Sequence, residues 1–343
     1  MAVTRRGLFT SALAMLLVAA VIVGAIVFLG GKAGLGPLAD AVGPKTPPPP
    51  PTCPLTGEER RVPNRPALAV KVENIPSVRP QVGLSHADII YEEPVEAGIT
   101  RFIVVYQCED SDKVEPIRSA RLTDPSILRQ FGTPVFAYAG GVPQVVSAVD
   151  EAGLIDVNFI KAASAYHRDP SRPAPHDLYA STADLYRAAG APKGAPEPVF
   201  TYSSERPKQA RRVHDVHLPF SSSSDVHWRW STGERLWLRS HGDVPHTYSD
   251  GTQVGAKNVV VQVVKLRDTG IKDVNGVVSP EVVATGTGTA YVFRNGRMIK
   301  GTWVRESSGD LTTFLDSKGR EIPLDPGNTW VELLPDDISV TTS

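Results

Sequence analysis

The segments ALAVKVE at residues 67–73, ADIIYEE at 87–93, TRFIVVYQ at 100–107 and PVFAYAG at 134–140 set the character of the N-terminal half. Each is short and rich in β-branched and aromatic residues, the signature of a strand. Helix signals lie between and after them. Asp124 followed by Pro125 predicts an N-cap with proline at the first helical position, and Gly132 stops that helix. Val142–Ala152 predicts a second helix ended by Gly153, and Ser181 caps a third that Gly190 stops. The mixture predicts an α+β or α/β layered domain over residues 53–198, with APKGAPEP (191–198) as a connector.

Further along, helical periodicity vanishes. VHWRW (226–230), RLWLR (235–239), NVVVQVVK (258–265), TAYVFR (289–294), GTWVR (301–305) and TWVELL (329–334) read as strands, and Asn295-Gly296 is a two-residue hairpin turn. Residues 199–343 are therefore expected to form a mainly antiparallel β domain, a barrel or sandwich. Trp228, Trp230 and Trp237 could stack on sugar rings, but at strand spacing they suit a core better.

At the other end, Leu8 to Leu29 is an uncharged apolar run close to the roughly 20 residues that cross a bilayer as a helix. Arg5 and Arg6 precede it, so residues 1–7 are expected in the cytoplasm and the remainder outside. A cleaved signal peptide is the rival reading, since TRRGLF resembles a twin-arginine signal. The run exceeds the usual apolar core of a signal peptide, which favours an uncleaved signal-anchor, a single N-terminal transmembrane helix. Residues 30–52 follow as a tether with five consecutive prolines, Pro47–Pro51, suited to polyproline II. The expected localisation is the cell membrane, with the folded domains extracytoplasmic.

The chain has 343 residues, 41% of them apolar, and a net charge of −1. That balance offers no whole-molecule attraction to nucleic acid, and no nucleic-acid partner is expected. Two cysteines, Cys53 and Cys108, can pair in an oxidising exterior or stay as two buried thiols. Cys53 follows Pro51 and Thr52, which is no lipobox.

NRPALAVKVEN, RPQVGLSHADIIYEEPVEAGITRF, PIRSARLTD, YHRDPSRPAPHDLY, NVVVQ, KGTWVR and PGNTWVELLP occur in order along most of residues 54–336. In these motifs the chain resembles the YerB-like lipoproteins, an N-terminal domain of unknown function followed by a smaller C-terminal domain. The resemblance implies a bacterial, extracytoplasmic, membrane-attached protein without an established activity. The missing lipobox favours a transmembrane attachment over a lipid one.

Three polar clusters carry the candidate sites. The first comprises Asp88, Glu92, Glu93, Glu96 and Arg101; alternation puts Asp88 and Glu92 on one strand face and Glu93 on the other. Paired carboxylates suit acid/base chemistry, or they form a solvated face or an ion pair with Arg101. The second is Arg118, Ser119 and Arg121 at a helix entrance, where two guanidiniums suit a phosphate or carboxylate or pair with the nearby acids. The third is the proline-stiffened loop with His167, Arg168, Asp169, Arg172, His176 and Asp177. If that loop meets Arg118 and Arg121, four arginines share one pocket and require an anionic ligand or acidic partners. His214, His217 and His227 carry no metal motif, because residues three apart in a strand face opposite sides; no metal and no cofactor are expected.

Two functions fit. The first is a non-enzymatic envelope protein that binds a cell-wall glycan carboxylate or an anionic polymer through Arg118, Ser119, Arg121, Arg168, Asp169, Arg172 and His176. The alternative is an envelope glycan hydrolase or lyase with Glu92 or Glu96 as acid/base and His176 in support.

Overall fold

In the N-terminal half, the β-branched runs form β1 (Leu68–Glu73), β2 (Ile89–Pro94), β3 (Thr100–Tyr106), β4 (Val135–Ala137) and β5 (Ile155–Asp156). Every residue of β1 and β3 is buried, so these strands are covered on both faces, and the charged Lys71, Glu73 and Arg101 are buried along with the apolar residues. The computed structural model describes residues 50–207, 210–273 and 276–343. Three short α-helices occur among them: α1 (Thr123–Leu128), α2 (Pro143–Glu151) and α3 (Thr182–Ala188). Ser181 caps α3 by accepting from the Asp184 amide at 3.0 Å. Asp124 was expected as an N-cap; it lies inside α1 instead, its carboxylate drawn to the Lys71 ammonium at 2.7 Å. A small hairpin, β6 (His167–Arg168) with β7 (Leu178–Tyr179), carries the proline-rich loop.

The C-terminal half contributes β8 (Arg211–Arg212), β9 (Asp215–Ser221), β10 (Ser224–Ser231), β11 (Leu236–His241), β12 (Val244–Pro245) and β13 (Gly255–Ala256). It continues with β14 (Asn258–Lys272), β15 (Val278–Val283), β16 (Gly286–Arg294), β17 (Arg297–Arg305), β18 (Thr313–Leu315), β19 (Thr329–Pro335) and β20 (Thr341–Thr342). Asn295-Gly296, both at positive φ, make the tight turn between β16 and β17.

One sheet runs β18-β17-β16-β14-β19-β2-β3-β1-β4-β5, so strands from both halves of the chain lie side by side. The seam is parallel: β19 pairs with β14 on one side and with β2 on the other. A second sheet, β12-β11-β10-β9-β20, packs Val216, Leu218, Val226, Trp228 and Trp237 onto one face of the first, against Phe102, Val104 and Trp330. On the opposite face, Ile127 and Leu128 of α1 and Val145 and Val149 of α2 cover Ile89, Ile103 and Phe136. Residues 50–343 make one compact unit.

This architecture corrects the expected fold class. The molecule is mostly β, and its N-terminal half is not an α+β or α/β layer structure but strands with three short helices among the described residues. Glycines at positive φ, among them Gly132, Gly153 and Gly190, stop each helix within three turns. Nor is the C-terminal half purely antiparallel, since the β14–β19 and β19–β2 pairings are parallel. The transmembrane element also drops out of the supported fold. No helix among the described residues is long and apolar enough to cross a membrane, and Leu8–Leu29 lies outside those residues, as do the expected cytoplasmic segment and most of the tether.

Cys53 and Cys108 form a disulfide, Cα to Cα 6.1 Å, that ties the entry of the fold to the segment leaving β3.

Candidate functional site

Strand register lays a charged row across three neighbouring strands. Glu73 of β1 and Glu93 of β2 both stand opposite Arg101 of β3. Lys71, two residues before Glu73, faces the same way, toward α1. The buried Lys71 ammonium contacts Glu93 and Asp124, and all three side chains are removed from solvent. Burial pushes the Glu93 carboxyl up to about 7, with Lys71 opposing.

Two further carboxylates, Glu73 and Glu96, are taken by the helix entrance. Glu73 meets the Arg118 Nε at 3.0 Å and the His176 Nδ1 at 2.6 Å. Glu96 accepts from Arg121 Nη2 at 2.6 Å and meets its Nε at 2.5 Å. Burial alone would raise Glu96, but the hydrogen bond and charge of Arg121, with help from Ser279, hold it below the usual carboxylate range. Two acids thus serve two arginines, and Arg101 is left over.

Arg101 is 5% exposed, and no carboxylate lies within ion-pair distance of it among the described residues. Its Nη1 donates to the Ser119 carbonyl at 2.9 Å, while its Nε is buried without a hydrogen-bond partner. Burial and then the Arg121 charge push its pKa down to about 10 against the pull of Glu96, with Arg118 and Glu73 acting less strongly in opposite directions. The ion pair between Arg101 and the strand carboxylates that the sequence allows does not form, because strand register does not decide which base each acid takes.

Arg101, Arg118 and Arg121 line a cleft of about 520 Å³. Ile75, Ile99, Leu122 and Val142 give it an apolar wall, and Ile271 and Lys272 of β14, Asp273 beside them and Ser279 of β15 close the far side. Those last residues are more than 150 positions from Arg118 in the chain, and nothing in the sequence announces their arrival.

The proline-rich loop reaches the residues of this site through His176 and the Pro175 carbonyl. His176 shares Glu73 with Arg118, whose Nη1 also donates to the Pro175 carbonyl at 3.1 Å. The other loop charges are engaged elsewhere: Arg168 with Asp177 at 2.7 Å, Asp169 with Lys113, and Arg172 with Glu115 at 3.0 Å and the Val78 and Pro80 carbonyls. His176 and Arg172 line a separate depression of about 370 Å³. The structure therefore brings Arg118, Ser119 and Arg121 to one cleft, leaves His176 outside it in contact with Glu73, and directs Arg168, Asp169 and Arg172 away from it. Asp88 precedes β2 and accepts from the Gln107 and Cys108 amides at 2.6 and 3.1 Å.

Glu92 occupies the opposite face of β2, fully buried between the two sheets. It accepts from Asn74 at 3.0 Å and Thr100 at 2.6 Å and pairs with Arg239 of β11. Arg239 Nη1 also donates to His241 Nε2 at 2.6 Å and His246 Nδ1 at 2.8 Å. Burial, then the Arg239 charge, lowers the pKa of both histidines far enough to keep them neutral acceptors.

Glu332 stands opposite Glu92 in the β19–β2 pair and accepts from Trp228 Nε1 at 2.7 Å. Burial, then the Glu92 charge, raises its pKa well above the usual range, so the folded chain holds a proton there. An unfolded glutamate releases that proton above about pH 4.3. Stability from this proton is thus full below that pH and is lost as pH rises toward the folded pKa. Glu332→Gln, which keeps an oxygen for Trp228, is expected to be at least as stable as the parent at pH 8 and to flatten the decline between pH 5 and 8. Urea midpoints at those two values test this; an equally steep decline in the variant would refute the assignment.

A β-rich molecule with one sheet shared by both halves, and an arginine-lined cleft where the halves meet, describes the class. Residues 55–194 match the family model "Protein of unknown function (DUF3048) N-terminal domain", and residues 216–331 match the corresponding C-terminal domain. The chain belongs to this two-domain, YerB-like family. It is 28% identical over 296 residues to the protein of Bacillus subtilis (strain 168) named "Putative lipoprotein YerB", covering 82% of this chain and 86% of that one. It also shares the fold of the crystal structure of YerB protein from Bacillus subtilis, with a TM-score of 0.74, 24% identity, and coverage of 85% of this chain and 99% of that one.

Proposed function

We propose that the protein binds an anionic ligand of the bacterial envelope in the cleft lined by Arg101, Arg118 and Arg121. The observation that carries this reading is Arg101, a buried guanidinium without a carboxylate partner among the described residues, beside two further arginines. Burying a charge is costly unless something compensates it, and a bound carboxylate or phosphate would do so. The apolar wall favours an anion attached to a partly apolar body over a free inorganic ion. An extracytoplasmic setting is supported by the Cys53–Cys108 disulfide and by the relative's name, with its implication of membrane attachment. Cell-wall carboxylates and teichoic-type phosphates are the chemistry such a location offers. Binding is preferred over hydrolysis because Arg121 holds Glu96 in its ionised form and Glu92 is sealed between the sheets.

Calorimetric titration of the purified chain with N-acetylmuramic acid and with glycerol phosphate tests this. Binding is expected to weaken as salt rises and to fall roughly tenfold to a hundredfold in Arg101→Met, the worth of one charged hydrogen bond. Because Arg101 is crowded by other cations, the same substitution should leave stability equal or higher. An Arg101→Met variant that unfolds more easily and binds as well as the parent would end the proposal.

A further inference from the structure

On the outer face of the second sheet, three side chains converge that the cleft does not use. In the β9–β10 pair, His217 stands directly opposite His227, and Asp225 lies two residues before His227 on the same face. The alternate residues Leu218, Val216, Val226 and Trp228 point inward to the core, which leaves the histidine face open. The two imidazoles stack nearly parallel, their centroids 4.2 Å apart and their planes 8° apart. Both turn Nε2 toward one carboxylate: His217 Nε2 lies 2.6 Å from Asp225 Oδ1 and His227 Nε2 lies 4.0 Å from Asp225 Oδ2. The register shifts here, where Ser224 pairs Ser221 and Asp225 pairs Pro219, so that Phe220 of β9 is the extra residue.

We propose that His217, Asp225 and His227 form a binding site for a divalent transition-metal ion of the zinc class. One atom from each of the three lies within 4.8 Å of the others. Tetrahedral zinc with bonds of about 2.0–2.1 Å sets its ligand atoms about 3.3 Å apart, so modest side-chain rotations close the site. Two imidazole nitrogens and one carboxylate oxygen suit zinc and its neighbours and leave a fourth position for water.

A fourth residue points the same way. His227 Nδ1 lies 3.4 Å from Asp215 Oδ1, the carboxylate–histidine arrangement that holds a ring with its other nitrogen free for metal. Asp215 is itself paired with Arg229, at 3.3 Å, which leaves Asp225 as the carboxylate available to an ion. His214, three residues before His217, takes no part. The site joins two strands, which is why spacing within either strand fails to announce it.

The test is titration of the purified full-length chain with Zn2+ by calorimetry and with Co2+ by its visible absorption. One ion per chain is expected, displaceable from Co2+ to Zn2+, with a rise in Tm on metal addition. His217→Ala and His227→Ala should each weaken binding by more than about 100-fold, and Asp215→Asn, which only orients His227, by roughly 10-fold. His86→Ala, whose ring meets Glu109 elsewhere, should bind as the parent does. Because the side chains lie on the open face, the metal-free Tm of each variant should match the parent; if a histidine variant misfolds, Asp225→Asn carries the comparison. No saturable binding by the parent at millimolar Zn2+, or binding unaltered in the folded variants, overturns the proposal.

Discussion

Arg239→Ala is expected to lower folding stability by about 3–5 kcal/mol, the effect of removing one member of a buried ion pair. Arg239 is fully buried, and it is the cation that Glu92 meets between the two sheets. Its loss leaves Glu92 without its cation at a fully buried position, faces Glu332 with an uncompensated neighbour, and strips His241 and His246 of their donor. The three aromatic rings of Phe102, Trp228 and Trp330 around the guanidinium cannot take up the charge that remains. If the cost comes from the stranded carboxylate, Glu92→Gln combined with Arg239→Met should recover much of it, since a neutral, well-packed replacement of a buried pair is often tolerated. Urea unfolding of the single and double variants measures the coupling. A loss below about 1 kcal/mol for Arg239→Ala would place the network outside the cooperative core.

The second large effect concerns the disulfide. Cys53 and Cys108 are 55 residues apart, and the loop they close should contribute about 4 kcal/mol by restricting the unfolded chain. The bond also fixes the segment around Cys53 beside the exit of β3, next to Asp88, whose carboxylate accepts the Gln107 and Cys108 amides. Burial pushes Asp88 up to about 6 even against those two amides, so this corner depends on staying closed to water. Paired substitution Cys53→Ser/Cys108→Ser, or unfolding under reductant, should lower the urea midpoint accordingly. Unfolded, unreduced protein should show no reactive thiol. Equal stability with and without reductant would contradict this.

Much of the secondary structure was legible because it rests on local rules. Strand runs at 67–73, 87–93 and 100–107 declare themselves by β-branched content, and Asn295-Gly296 by the backbone conformation it tolerates. Alternation also separates Glu92 from Glu93, which the structure places on opposite faces of β2. Arg118 and Arg121 stand out as charges at a helix entrance, with Ser119 between them, and all three line the cleft. The fold class was misjudged because three helices whose stops were legible are too short to form a layer, and because a parallel seam between β2 and β19 joins residues some 240 positions apart.

The sequence by itself determined where strands and turns occur, which residues carry charge, and the family to which their order belongs, since each depends on neighbours a few positions away. Only the tertiary structure decided the partners: that Glu73 takes Arg118 and His176, that Glu96 takes Arg121, and that Arg101 goes without. It likewise decided that Arg168 and Arg172 leave the cleft and that His217 meets His227. Ion pairing and ligand geometry follow distance in space, and in a sheet that distance is set by register between strands remote in sequence.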